Sequence, residues 1–227
     1  MTAPDTVGSK LDELNVADWA TRNGRKLAWG AGIVVVLAAG VWLYQSSQAR
    51  KEAFAAQALM QARNSAESGN LPLAASDLSK LVDRFGGTRA GDEAVILLNQ
   101  IRMVQGQRDV AVNALQQFVR GSHPDYVEAS AYSLLGGALE DQGKAKDAAT
   151  AYRQASARAR LDFQKAQYLL DAGRAFSIAG DSTAAKAAYS EVLTKFGRLD
   201  QAAEARVRMA ELGGTVPPMP VAEDTTS

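Results

Sequence analysis

The stretches GKAKDAATAY at residues 143–152 and GDSTAAKAAY at residues 180–189 share one pattern, 37 residues apart. Each begins with Gly, has Ala at its sixth and ninth positions and ends with Tyr. The spacing recurs along the chain, with glycines at Gly69, Gly106, Gly143 and Gly180 and alanines at Ala74, Ala111, Ala148 and Ala185. Large apolar residues follow at Leu78, Leu115, Tyr152 and Tyr189. A fixed period of this length predicts a stacked array of repeated units.

The composition of each period predicts a pair of helices. The glycine marks the end of a first helix, and the alanine marks the close crossing between that helix and a second one. The large residue lies one turn further along the same face and fills the space between them. The predicted helices lie near 50–67, 71–85, 91–105, 108–120, 125–141, 145–158, 162–178 and 182–196. A ninth helix near 200–212 is expected to cap this all-α array of four helix pairs.

The third unit carries the most complete set of repeat positions. Tyr132, Leu135, Gly136, Leu139, Gly143, Ala148, Tyr152 and Ala155 lie at the signature offsets of the tetratricopeptide repeat. The fourth unit matches at Gly173, Phe176, Ala185 and Tyr189, whereas units one and two have Gln61-Ala62 and Leu98-Asn99 where Leu-Gly is usual. The chain therefore resembles the tetratricopeptide repeat family. That resemblance implies a helical solenoid in which the first helix of each pair lines an inner groove.

An apolar segment precedes the repeats. LAWGAGIVVVLAAGVWLY, residues 27–44, has no charged or amide side chain, and as a helix it would be ~27 Å long, about the thickness of a hydrocarbon core. Trp29 and Trp42 lie near its ends and Tyr44 closes it, as is typical of side chains at a membrane interface. A cleaved signal peptide is the main alternative, with Ser47 and Ala49 before the cut. The length of the run and the acidic segment before it favour a retained transmembrane helix.

The charges beside this segment favour one orientation. Within twenty residues on each side, four basic residues precede it and three follow it, namely Lys10, Arg22, Arg25 and Lys26 against Arg50, Lys51 and Arg63. This excess predicts that residues 1–26 are cytoplasmic and that the repeat domain, residues 45–212, lies outside the cytoplasm. A short helix is expected at residues 10–22, with a stop at Asn23-Gly24, and no Gly or Pro interrupts residues 41–68. The tail at residues 213–227 has three prolines and is expected to be disordered.

The sequence carries no catalytic pattern. Equal numbers of basic and acidic residues, 25 of each, argue against nucleic acid as a partner, and the absence of cysteine excludes thiol chemistry. The sole histidine, His123, lies in a turn and is expected at the surface. We therefore predict no enzyme activity, no cofactor, no metal site and no small-molecule substrate.

The inner groove is then the candidate binding surface. The repeat offsets place there Leu59, Arg63, Ile96, Gln100, Met103, Gly137, Leu170 and Arg174, a mixture that suits an extended or helical peptide. The alternative is that several of these residues only pack against the next helix. The lysine and asparagine by which some tetratricopeptide co-chaperones hold a carboxylate are replaced by Leu59 and Arg63.

The order of segments resembles a more specific family. DWATRNGRKLAWG at residues 18–30, the single span and GRAFSIAGDSTAAKAAYSEVL at residues 173–193 are similar to the YfgM-type family of ancillary Sec-translocon subunits. The resemblance implies a bacterial inner-membrane protein with a periplasmic repeat domain. Its partners would be the Sec channel and a periplasmic chaperone, and it would assist secreted proteins. Two alternatives stay open, a scaffold of cell-envelope assembly such as the barrel-assembly or Tol-Pal systems, and a regulatory binding module that faces the cytoplasm.

Overall fold

The computed structural model describes residues 8–218, in which all regular secondary structure is α-helical. The helices are α1 (Gly8–Glu67), α2 (Leu71–Phe85), α3 (Arg89–Val104), α4 (Arg108–Phe118), α5 (Asp125–Asp141), α6 (Ala145–Arg158), α7 (Asp162–Ile178), α8 (Ser182–Lys195) and α9 (Gln201–Glu211). The all-α repeat fold predicted from the sequence is confirmed. Residues 219–227 of the tail that was predicted to be disordered lie outside the described part, as do residues 1–7. The chain divides into two units, Met1–Ala53 and Phe54–Ser227.

The first unit contains the longer part of α1. The predicted stop at Asn23-Gly24 is wrong, because the helix runs through both residues and Gly24 has no left-handed backbone conformation. A single glycine costs a helix interior only about 1 kcal/mol, too little to end a long helix by itself. The apolar run makes the region Asn23–Glu67 long and apolar enough to cross a membrane, and its most apolar window is fully exposed. Trp29 and Trp42 are 70% and 66% exposed.

The second unit consists of helix pairs separated by glycine turns. Gly69, Gly106, Gly143 and Gly180 have φ values of 81°, 77°, 72° and 77°, in the left-handed region that side chains rarely adopt. After each glycine the next backbone N–H reaches back across the turn, as from Asp181 to the Phe176 carbonyl oxygen at 2.9 Å. This bond satisfies a carbonyl that the helix end leaves unpaired. The fixed glycine spacing is therefore the spacing of the helix ends.

The predicted crossing alanines lie in the core. Ala74, Ala111, Ala148 and Ala185 have no exposed surface, and the large residues one turn later, Leu78, Leu115, Tyr152 and Tyr189, are at most 5% exposed. One core cluster runs from Ala55 to Ile101 and a second from Val112 to Met209. The capping helix α9 contributes Ala202, Ala205 and Met209 to the second cluster.

The closest packing in the two best-matching repeats is between a tyrosine ring and a glycine. A β-carbon added at Gly136 would lie 2.6 Å from a ring carbon of Tyr152, and one added at Gly173 would lie 2.4 Å from a ring carbon of Tyr189. Real β-carbons essentially never approach another atom closer than 3.0 Å. Glycine at this position therefore lets the tyrosine of the second helix lie directly on the backbone of the first helix.

Candidate protein-interaction groove

The first helices of the pairs, α1, α3, α5 and α7, are the elements predicted to line the groove. Three of them contribute to one pocket of about 310 Å³. We call it the groove pocket and define it by the residues that line it, which are Arg63, Glu93, Ile96, Leu97, Gln100, Tyr126, Val127 and Ser130. All of them belong to the second unit. The pocket therefore lies where the first helices of units one, two and three meet.

The groove pocket combines an apolar surface with an ion pair. Ile96, Leu97 and Val127 supply the apolar side chains. A nitrogen of Arg63 lies 3.0 Å from a carboxylate oxygen of Glu93, and Arg89 approaches the other oxygen at 3.5 Å. The guanidinium carbon of Arg89 also lies 5.4 Å from the centre of the Tyr126 ring. A surface of this mixed character suits a protein segment that contributes one apolar side chain and several hydrogen bonds.

The structure places the predicted groove residues in three different environments. Arg63, Ile96 and Gln100 line the groove pocket. Met103 is partly buried against the second core cluster. An added β-carbon at Gly137 would make an ordinary contact of 3.6 Å with the Tyr152 hydroxyl.

Leu59 and Leu170 lie inside the protein. They are only 5% and 4% exposed and belong to the first and second core clusters. The repeat offsets identified the helix of each residue, but one step around a helix turns a side chain by about 100°, from groove to core. Both leucines pack against neighbouring helices and are closed to a partner.

Arg174 belongs to a separate charged network. Its guanidinium lies 3.1 Å from Glu140 and 3.2 Å from Asp171, and the Tyr152 hydroxyl donates a 2.7 Å hydrogen bond to Glu140. Burial opposes the charge of Arg174, but the hydrogen bond to Asp171 and the charge of Glu140 outweigh it and raise the pKa of the guanidinium. Burial raises the pKa of Asp171, against the stabilising effect of Arg174. These contacts make Arg174 a residue that links α5 and α7.

Some pocket residues were missed from the sequence. Glu93 and Ser130 are 37 residues apart and occupy equivalent positions of two repeats. Glu93 lies three residues before Ile96 on the same face of α3, so helix periodicity was a signal for Glu93, and the repeat period then leads from Glu93 to Ser130. Tyr126 has no such signal, since its place depends on how the start of α5 packs against α3.

His123 has a structural role. Its side chain is 18% exposed and stacks on the Phe118 ring with 3.8 Å between the ring centres. One ring nitrogen lies 3.1 Å from a carboxylate oxygen of Asp92, and the other lies 3.1 Å from the Phe118 carbonyl oxygen. The prediction of a surface histidine is therefore corrected. Among the side chains that the structure describes, no group of three or more could hold a metal ion.

Stacked helix pairs and a groove of mixed chemistry define a helical-repeat scaffold for protein–protein interaction. The chain belongs to the family described as "Tetratricopeptide repeat-like domain", which matches residues 17–213. No curated protein sequence matches the chain.

Solved structures share the fold at low sequence identity. One MamA structure is 19% identical over 70% of this chain and 82% of MamA, with a TM-score of 0.54. A second MamA structure is 20% identical over 67% and 84%, with a TM-score of 0.52. A tetratricopeptide repeat protein from Parabacteroides merdae is 13% identical over 70% and 58%, with a TM-score of 0.56.

Proposed function

We propose that this protein is a membrane-anchored, non-enzymatic adaptor that holds a protein partner in the groove pocket. One observation carries the proposal. The first helices of three repeats meet around a pocket of about 310 Å³, and both apolar and charged side chains line that pocket. Exposed Gln100 lines the pocket, and the Arg63–Glu93 pair is half exposed at 51% and 30%. A partner can therefore reach the hydrogen-bonding groups as well as the apolar surface.

The sequence supports a proposal for the anchor and for the partners. The apolar region of α1 and the charge bias beside it support a single span at residues 27–44 in a bacterial inner membrane, with residues 1–26 in the cytoplasm and the repeats in the periplasm. The resemblance to the YfgM-type family supports the Sec translocon and a periplasmic chaperone as partners. In this role the adaptor keeps a chaperone near the channel from which secreted proteins emerge, because two proteins in one membrane meet at a raised effective concentration.

The orientation is tested with a reporter enzyme that is active only in the periplasm. Alkaline phosphatase fused after Gly213 is expected to be active in intact bacterial cells, and the same enzyme fused after Gly24 is expected to be inactive. A stable but inactive fusion at Gly213 would place the repeats in the cytoplasm and favour the regulatory module.

The groove is tested with two matched tryptophan substitutions in the full-length protein. Gln100→Trp fills the groove pocket and is expected to remove co-purification with the translocon or chaperone from crosslinked membranes. Asn113→Trp makes a similar change at an exposed site on the second helix α4, and is expected to leave co-purification intact. Equal recovery of the partner with both variants would show that the partner binds elsewhere.

A further inference from the structure

A second kind of surface recurs between the second helices of neighbouring pairs. We call each such surface an outer cleft, formed by two consecutive second helices and the first helix between them. The first outer cleft, between α2 and α4 over α3, has a volume of about 370 Å³. The last one, between α6 and α8 over α7, has a volume of about 440 Å³. Residues that line the first cleft have counterparts in the last cleft 74 residues further along the chain, which is two repeat periods. The corresponding pairs are Ser79 and Arg153, Val82 and Ser156, Asp83 and Ala157, Val95 and Leu169, and Gln117 and Glu191.

In the middle outer cleft, between α4 and α6 over α5, charged side chains of the protein pair with one another. Glu128 accepts a hydrogen bond from Arg158, and the Arg158 guanidinium lies 4.6 Å from the centre of the Tyr132 ring. The Tyr132 hydroxyl in turn reaches the Val119 carbonyl oxygen at 3.5 Å. Burial opposes ionisation of Glu128, but the hydrogen bonds from Arg158 and the His123 backbone outweigh it and lower its pKa. The carboxylate is therefore the centre of this cleft.

The last outer cleft has the same positions but lacks this carboxylate. Lys165 occupies the position of Glu128, and Lys195 occupies the position of Arg158, each 37 residues further along. Arg153 adds a third cation to the lining, and it forms no salt bridge within the described part of the chain. Glu191 is the one acidic side chain among the lining residues, and it pairs with Lys195 at 2.6 Å. Lys165 pairs with Asp162, at the start of α7, at 2.9 Å. Three cations therefore stand against two carboxylates, which leaves one positive charge in excess.

The fold does not require these cations. The positions equivalent to Arg153, Lys165 and Lys195 in the first outer cleft carry Ser79, Gly91 and Gly121. The helices pack in both places, so the repeat geometry tolerates small neutral residues where the last cleft has long basic ones. Three cations against two carboxylates leave an excess of positive charge at this cleft, which an external anionic group would neutralise.

We propose that the last outer cleft binds an acidic segment of a partner protein, whose carboxylate takes the place that Glu128 occupies in the middle cleft. Lys165, Lys195 and Arg153 are positioned to donate charge-assisted hydrogen bonds to it. Leu169 and Phe196 line the same cleft and offer contact to an apolar residue beside the carboxylate. This surface is formed by α6, α7 and α8, whereas the groove pocket is formed by α1, α3 and α5, so the two are separate and this proposal does not depend on the function proposed for the groove pocket.

The test uses the full-length protein in neutral detergent and a short fluorescein-labelled peptide of alternating Glu and Leu residues. Fluorescence anisotropy is expected to detect binding, and affinity for the matching peptide with Gln in place of Glu is expected to be at least about tenfold lower. Lys165→Glu supplies an internal carboxylate beside Lys195, as in the middle cleft, and is expected to weaken Glu-peptide binding by a similar factor. Lys146→Glu makes the same charge change on α6 outside the cleft and is expected to leave the affinity within about twofold.

Further variants keep the proposal open to refutation. Arg153→Ser, which installs the residue of the first cleft, is expected to weaken binding if Lys165→Glu does not fold. Gln100→Trp, in the groove pocket, is expected to leave the affinity for the Glu peptide unchanged. The result for the outer cleft is therefore independent of the result for the groove pocket. Equal binding of the Glu and Gln peptides, or undiminished binding by a folded Lys165→Glu variant, would overturn the proposal. The proposal would also be overturned if the protein did not bind the Glu peptide but micelles containing phosphatidylglycerol protected the cleft lysines from chemical modification. The ligand of the cleft would then be a lipid.

Discussion

Two neighbouring glycines in α5 give opposite expectations for the same substitution. Gly136→Ala places a β-carbon 2.6 Å from Cε1 and 2.7 Å from Cδ1 of Tyr152, where ordinary contacts begin at 3.4 Å. The ring is 5% exposed and its hydroxyl is held by Glu140 at 2.7 Å, so it has little room to move. Overpacking of this kind costs about 1–3 kcal/mol, and the higher helix propensity of alanine returns about 1 kcal/mol. We therefore expect a net loss of up to about 2 kcal/mol in the free energy of unfolding.

Gly137→Ala is the matched control. Its β-carbon would lie 3.6 Å from the nearest atom outside its own helix, the Tyr152 hydroxyl oxygen, which is an ordinary contact. Without a clash the helix gains about 0.5–1 kcal/mol from the substitution. Urea unfolding of the full-length protein in neutral detergent, followed by far-ultraviolet circular dichroism, measures both variants. Equal stability of the two variants would refute the reasoning that glycine is required for the tyrosine to lie on the helix backbone.

Three further predictions concern the core and the charged contacts. Ala148→Leu or Ala185→Leu should lower the free energy of unfolding by about 1–3 kcal/mol, whereas Ala187→Leu on the exposed face of α8 should be nearly silent in the same urea titration. Arg174→Glu should lower the free energy of unfolding and the melting temperature, because the new carboxylate would face Glu140 and Asp171. Arg63→Glu, at an exposed pair, should change the free energy of unfolding by only about 0.5 kcal/mol. A similar loss in both variants would contradict this difference between the two arginines. Glu128→Gln should lower the melting temperature at pH 7, because a carboxyl group with a lowered pKa stabilises the fold while it is ionised. The difference in melting temperature from the native protein should vanish as the pH falls below 4.5 and the carboxyl group takes up a proton. A difference that persists in acid would contradict this role of Glu128.

The repeat architecture could be predicted because each local signal agreed with the others. The left-handed glycine turns, the buried alanine crossings and the large residues one turn later all recur at 37 residues. From Glu67 onward the helix ends followed from the same signals and lie within two residues of the prediction. The first repeat helix, predicted to begin near residue 50, is instead the last part of α1. The stop at Asn23-Gly24 failed because it depended on one glycine alone, and the apolar run beyond it continues the helix.

The groove was predicted less completely, because a repeat offset identifies a helix but not the neighbour that a side chain meets. Arg63 and Arg174 occupy equivalent positions of units one and four, yet one borders an open pocket and the other is held between Glu140 and Asp171. Neither acid has an acidic counterpart near Arg63. The position equivalent to Asp171 carries Met60, and the position equivalent to Glu140 falls at Trp29, ahead of the first repeat. Which part of the groove is open depends on residues that differ from one repeat to the next. A periodic pattern shows only what the repeats share, so it cannot identify these residues.

Site-specific crosslinking in living cells tests the adaptor role most directly. A photoreactive amino acid replaces Gln100 in the groove pocket of the full-length protein, and in a second strain it replaces Asn113 on α4. The proposal predicts a discrete adduct with a translocon subunit or a periplasmic chaperone from position 100, and none with that protein from position 113. The same adduct from both positions, or from position 113 alone, would contradict binding in the groove.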